Sequence, residues 1–401
     1  MTEPVLIIGA GPAGSASAMH LLKAGLQPVI VEAVRFPRYH IGESLTTECV
    51  DALNRLGLAD RLAALSAPKK QGVRIFSKHP ENSFFIGAGD AWQVERDRFD
   101  SMLLETAVTR GSEHIHGRVQ KLERTEQGDW RMEIRLADGG TEQRRARFVI
   151  DASGQERFSI KKGLLGPARE GGYARQIALF AQYEDINKQP NDAYDTLIHH
   201  REIHEWVWMI PLSETVYSVG LVLPVKDFKA CKLPMEAFLD KHLLSFTPPL
   251  VERMRGARRI NRVRAISSYS YRIDEYAKNG LFCVGDSHGF IDPIFSFGVE
   301  FAVLEAEYLG RTLQQCSRRD PADWPQLAQE YMQVTTAAQA VVEDMLAYFW
   351  AHPWGFAAMA HVRHKQEFLE IFAGRVYEIE PGEGLRQMRA NMQTDHAAAT
   401  A

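Results

Sequence analysis

The sequence is poor in cysteine. Cys49, Cys231, Cys283 and Cys316 form no C-x-x-C pair and no cluster with ligand-like spacing. A disulfide framework and a structural zinc are therefore not expected, no metal is assigned, and a reducing cytoplasm fits. An excess of positive charge is also lacking: the formal net charge is -4, which disfavours nucleic acid as a partner. No apolar run is long enough to cross a bilayer. The opening MTEPVLIIGAG has no basic n-region and runs straight into a strand, so no signal peptide is expected. Internal repeats and low-complexity blocks are absent. What is left, 45% hydrophobic and 24% charged over 401 residues, is an ordinary globular composition with room for two or more packed units.

The pattern along the chain predicts an α/β fold. PVLII (4–8), a glycine turn, a helical PAGSASAMHLLKAGL and the strand QPVIVEA make the β-turn-α-β unit of a doubly wound sheet. VERDRFDSMLLETAVTRG predicts a helix with Asp97 at its N-cap and Gly111 at its end. Between Gly171 and Ile273 the runs ARQIALFAQYE, EWVWMIP and VYSVGLVLP alternate like strands of a largely antiparallel sheet. LFCVGDSHGFIDP then resumes the first fold, and the chain beyond Trp324 reads as helical. The expected organisation is a Rossmann-like nucleotide domain in 1–165, an inserted β-sheet substrate domain in 166–274, a return to the nucleotide domain in 275–320, and a helical segment in 321–401. The Arg-rich RMRGARRINRVRA reads as a solvated strand face.

Gly9-Ala10-Gly11-Pro12-Ala13-Gly14 matches G-x-G-x-x-G between a strand and a helix. Gly9 permits the tight turn, Gly11 lets backbone approach a pyrophosphate, and Gly14 allows close helix-strand packing. Glu32 ends the next strand, where it meets a ribose diol. This context makes a nucleotide site a strong reading, but it does not separate NAD from FAD. Gly285-Asp286, after a distant apolar strand, favours the longer ligand: Asp286 is placed for a ribityl chain, and the helix starting near Gly298 faces the flavin ring. Trp206 and Trp208, two apart on one strand, point to the same face and read either as core or as a wall beside something reactive.

The order of G-x-G-x-x-G, Glu32, GES (42–44), R-x-x-FD (96–100), DASG (151–154) and Gly285-Asp286 resembles the flavoprotein monooxygenases of the p-hydroxybenzoate hydroxylase type. Within them, EWVWMIP and FIDPIFSFGVEFA resemble the motifs of the flavin-dependent halogenases, and PKKQGVRIF resembles their lysine segment. The likeness spans nearly the whole chain. It implies FAD held by Gly9, Gly11, Ala13, Gly14, Glu32, Glu43, Ser44, Arg96, Asp286 and Pro293. It also implies backbone N–H groups of Gly298 and Val299 near the flavin, where such enzymes bind halide. Reduced FAD and O2 would give a C4a-hydroperoxide that survives only where water is excluded. Lys70 would receive or orient hypohalous acid, and Trp206 and Trp208 would separate flavin from substrate. The expected substrate is an electron-rich aromatic ring (indole, phenol or pyrrole), free or carried on a protein, with chloride or bromide as the halide.

Three positions depart from that pattern: Glu205 replaces the glycine that opens the tryptophan motif, Phe297 precedes Gly298, and Glu300 follows Val299. Glu300 joins Lys70, Trp206 and Trp208 as a candidate catalytic residue. Its charge opposes halide binding unless the carboxyl is neutral or turned away. Hydroxylation of an aromatic ring, a peptidyl tryptophan included, is the rival activity. A FAD-dependent reductase or dehydrogenase, and a non-catalytic flavoprotein, are further alternatives. Ser153-Gly154 stands where single-component hydroxylases carry Asp-Gly, so a separate NAD(P)H flavin reductase is expected to supply reduced FAD.

Overall fold

A computed structural model describes residues 4–78, 83–171, 175–190, 192, 194–267 and 270–400. Two eight-stranded sheets organise it. In the first, the spatial order is Ala277–Lys278, Leu281–Cys283, Phe148–Asp151, Pro4–Ile8, Gln27–Glu32, Glu113–Arg124, Trp130–Leu136 and Thr141–Ala146. Pro4–Ile8 pairs in parallel with both of its neighbours. A strand covered on both faces reads as a continuous apolar run, as PVLII does. The helix Pro12–Lys23 makes the crossover to Gln27–Glu32 and packs against the helix Gly298–Arg318. That contact is close: a Cβ on Gly310 would meet His20 Cβ at 2.7 Å. The crevice beyond the carboxyl ends of the parallel strands, where such folds bind ligands, is thus built as the glycine turn demands.

The second sheet runs Arg258–Arg259, Gln176–Glu184, Tyr217–Pro224, Glu205–Pro211, Thr196–Glu202, Lys69–Phe76 and Ser83–Trp92, with Arg264–Ser267 also on Gln176–Glu184. Two of these strands, Lys69–Phe76 and Ser83–Trp92, come from the first 165 residues. Lys69–Phe76 pairs in parallel with Thr196–Glu202, whose edge would otherwise leave a row of unpaired backbone groups. Alternation gives this sheet two faces. Val207, Met209, Leu179 and Tyr217 lie under the helices Met235–Leu243 and Pro248–Met254, while Phe180, Ile198, Trp206 and Trp208 face the C-terminal helices. Phe295 reaches into those helices, its ring 5.6 Å from Phe349, 5.8 Å from Phe356 and 5.1 Å from Phe372. The 28-residue helix Trp324–Ala351 therefore supports the loop before Gly298.

One cap differs from expectation. The helix Arg96–Thr109 takes Glu95 as its N-cap, and Asp97 sits inside the first turn, accepting from the Arg98 N–H at 2.8 Å. The helix thus starts two residues earlier, at Arg96, whose guanidinium pairs one turn on with Asp100, at 2.8 and 3.0 Å, and so braces the first turn.

Candidate active site

Between the two sheets lies a cavity of about 710 Å³, the size range of cofactor sites. The glycine turn forms one end. Gly9 has φ +103°, a conformation open to glycine. A Cβ on Gly14 would stand 2.0 Å from Gly9 O, so the helix rests directly on the turn. The helix begins after Gly11 with Pro12, without a side-chain cap and without an acidic residue in its first turn. Its leading N–H groups and dipole are left for an anion. Glu32 accepts from Ala10 N–H at 2.8 Å and Val34 N–H at 2.7 Å, so its carboxylate is fixed at the cavity edge. Arg38, not anticipated from the sequence, lies over this turn: its Nη2 would be 3.4 Å from a Cβ on Gly11, and its Nη1 is buried without a protein partner. A buried guanidinium nitrogen with nothing to bond, beside a helix N-terminus, is what a diphosphate would complete. The only sequence cue was its place four residues before GES.

Arg96 donates to Asp100 and to the carbonyls of Ile41 and Gly42, and so pins the GES segment at the cavity. Across from it, Asp286 faces the same space. Gly285 N–H donates to Glu305 at 2.6 Å, Glu305 also meets His288 Nε2 at 2.8 Å, and Gln339 Nε2 donates to Glu305 at 3.1 Å. This buried network fixes the Gly285-Asp286 corner and brings Gln339, a residue of the C-terminal helices, to the cavity wall. Burial pushes the Asp286 carboxyl up to about 7, with Arg96 opposing the rise and Glu305 adding to it. A carboxyl with a raised folded pKa binds its proton more tightly in the folded chain. It therefore lowers stability as pH rises from about 4, the unfolded value, to about 7. In flavin-free protein, Asp286→Asn should raise the melting temperature more at pH 8 than at pH 5; an equal shift at both would contradict this origin.

The far wall is aromatic. Trp206 and Trp208 both line the cavity, with ring centroids 5.7 Å apart, and Phe180 lies 5.9 Å from Trp208. Trp208 Nε1 donates to Ser218 Oγ at 3.2 Å, while Trp206 Nε1 is buried without a partner. Trp208 lies across the strand pair from Gly220, where a Cβ would come within 2.1 Å of the indole; glycine there leaves room for the ring. Glu205 does not enter the passage, because it pairs with Arg201 at 2.5 Å in the hairpin. Phe297 does enter it and stacks on Phe301 at 5.8 Å.

Lys70 sits just behind the wall, 4% exposed, and donates to Ser44 Oγ at 2.9 Å. Burial lowers its pKa to about 8, with Asp195 pulling the other way. Ser44 and Glu43 face the cavity; Lys70 does not border it. Pro293, Gly298 and Val299 also line it. The helix at Gly298 follows Phe297 without a side-chain cap, so its first N–H groups are open at the cavity. Glu300 is turned away. Its carboxylate receives the Thr46 hydroxyl and would crowd a Cβ on Gly374, behind the helix. Burial pushes this carboxyl well above the usual range, which favours its neutral form, and its position behind the helix keeps it off the N-terminus. Of the sixteen candidate residues, Gly14, Lys70 and Glu300 are the ones that do not border the cavity, and Gly14 and Lys70 each support a neighbour that does.

Known proteins share this fold. A model of the FAD binding domain family matches residues 2–345. The chain is 34% identical over 382 residues to a 1H-pyrrole-2-carbonyl-[peptidyl-carrier protein] brominase of Pseudoalteromonas luteoviolacea, covering 94% of this chain and 93% of that protein. It is 25% identical to the corresponding chlorinase of Pseudomonas fluorescens, covering 96% and 92%. Among solved structures, that of the flavin-dependent brominase Bmp2 superposes with a TM-score of 0.92 at 31% identity, covering 99% of this chain and 100% of that one.

Proposed function

This chain belongs to the FAD-binding-domain family and, within it, to the flavin-dependent halogenases, and from that premise we propose that its substrate is a pyrrole ring borne on a peptidyl carrier protein. It is an FAD-dependent enzyme that halogenates an aromatic ring. The cavity fits the cofactor: a capless glycine turn and Arg38 for the diphosphate, Glu32 for a ribose, and Asp286 for the ribityl hydroxyls. Bound and reduced, FAD supplies the electrons for dioxygen activation. The protein supplies the rest. Gly298 and Val299 direct N–H groups and a positive helix end at a halide. Trp206, Trp208, Phe180 and Phe297 exclude water and keep a ring substrate away from the flavin side. Lys70, cationic below about pH 8, holds a proton donor at the junction between the two. A separate NAD(P)H flavin reductase provides the reduced cofactor, a reading supported by Ser153-Gly154 in the loop beside the cavity.

The 34% identity to a carrier-borne-pyrrole brominase supports the substrate, and the open N-terminus of the Gly298 helix, with Glu300 folded away from it, is the observation that carries halogenation. The test supplies reduced FAD, oxygen and bromide with pyrrole-2-carbonyl-loaded carrier protein, free pyrrole-2-carboxylate and free indole. A mass gain of halogen on the carrier-borne ring is expected. A gain of oxygen alone, or halogenation confined to the free rings, would overturn the assignment. No helix among the described residues is long and apolar enough to cross a membrane.

A further inference from the structure

We infer that Lys70 meets the reacting species through the hydroxyl of Ser44 rather than with its own ammonium. The inference deepens the proposed halogenase reading and rests on it for its activity arm. Lys70 Nζ is buried and does not border the cavity, and its hydrogen bond goes to Ser44 Oγ at 2.9 Å. Ser44 does border the cavity, as does Thr196, whose hydroxyl lies 3.3 Å from Ser44 Oγ. Gln93 Nε2 donates to Thr196 Oγ1 at 2.9 Å. The segment is stitched in place by backbone: Leu45 N–H to Trp92 O at 2.9 Å, and Val94 N–H to Glu43 O at 2.7 Å.

Counting hydrogens gives the direction. An ammonium and an amide NH2 donate and do not accept. Each hydroxyl therefore receives one hydrogen from outside the pair. The two hydroxyls have two hydrogens of their own, and one is used in the bond between them. The other has no protein acceptor among the described contacts and is presented to the cavity. Lys70 is thus a positioning residue while charged: it keeps Ser44 Oγ as acceptor, and the pair as a donor toward the cavity. If Lys70 loses its proton, its lone pair takes the Ser44 hydrogen and the cavity loses that donor. A hydroxyl donor at this point suits hypohalous acid, whose oxygen accepts one hydrogen bond while its halogen end stays free for the ring.

The test has two arms. In flavin-free protein, the pH dependence of Lys70 acylation is read by peptide mass spectrometry. Ser44→Ala should lower the midpoint by about one pH unit, because a hydrogen bond that favours the ammonium is gone; Ser44→Thr should keep it. In the flavin-loaded enzyme, Ser44→Ala should cut halogenated product by about 10²-fold while reduced flavin is still consumed. Ser44→Thr should restore product, and Ser44→Ala with Lys70→Met should be no worse than Lys70→Met alone. An unchanged labelling midpoint overturns the inference. So does a Ser44→Ala enzyme that halogenates normally where Lys70→Met does not. If the wild-type enzyme makes no halogenated product at all, the functional reading fails, and the labelling arm still decides the role of Ser44.

Discussion

Gly14→Ala should cost the fold, and Gly11→Ala should cost the cofactor. The added methyl at residue 14 would meet Gly9 O at 2.0 Å. Neither partner can give way, because Gly9 is itself wedged: a Cβ on it would stand 2.5 Å from Ala152 O. Overpacking backbone against backbone costs about 2 kcal/mol or more, so flavin-free Gly14→Ala should melt several degrees below wild type. At residue 11 the nearest atom is Arg38 Nη2 at 3.4 Å, the end of a flexible side chain. Gly11→Ala should therefore melt like wild type without flavin. Its methyl occupies the approach path of the diphosphate, and FAD affinity should fall by on the order of tenfold or more. Thermal melts and a flavin titration by fluorescence separate the two outcomes. A Gly11→Ala protein that binds FAD normally would contradict the placement of the diphosphate on this turn.

Lys70→Met should abolish halogenation without weakening the protein. Methionine is close to lysine in length and fits the same slot, so packing is kept. Burial lowers the Lys70 pKa to about 8, which means the charged form is disfavoured in the folded chain. The unfolded chain binds more protons between about pH 8 and the free lysine value near 10.4, so this penalty is full below about 8 and relieved as pH rises. Lys70→Met removes the penalty, and its melting temperature at pH 7 should equal or exceed that of wild type. Halogenated product should fall by about 10²-fold or more, the usual worth of a positioned proton donor. A residue that costs stability and is needed for turnover is a functional residue. Loss of melting temperature and product together would instead make Lys70 a structural part of the sheet edge.

The wall of Trp206 and Trp208 shows how much was legible in the chain. Their spacing put both indoles on one face, and Gly9, Gly11, Gly14 and Glu32 lay in a local unit whose geometry the spacing dictates. Such features depend on residues within one turn or one strand, so the sequence carries them directly. The meeting of Lys70 with Ser44 and Thr196 does not: it follows from a strand of the first chain segment crossing to the edge of the second sheet. The direction of Glu300 was equally hidden. Its place next to Val299 suggested charge at an anion site, while its side chain takes the opposite side of the helix and finds Thr46.

By itself, the sequence determined a nucleotide-binding crossover, an aromatic strand face and a lysine at a strand end, because short-range periodicity and glycine stereochemistry fix these within a few residues. Tertiary structure alone decided which oxygen Lys70 touches, that Arg38 overlies the glycine turn, and that the Glu300 carboxyl is buried and out of the way. Those outcomes depend on burial and on contacts between residues far apart in the chain, and no local pattern encodes either.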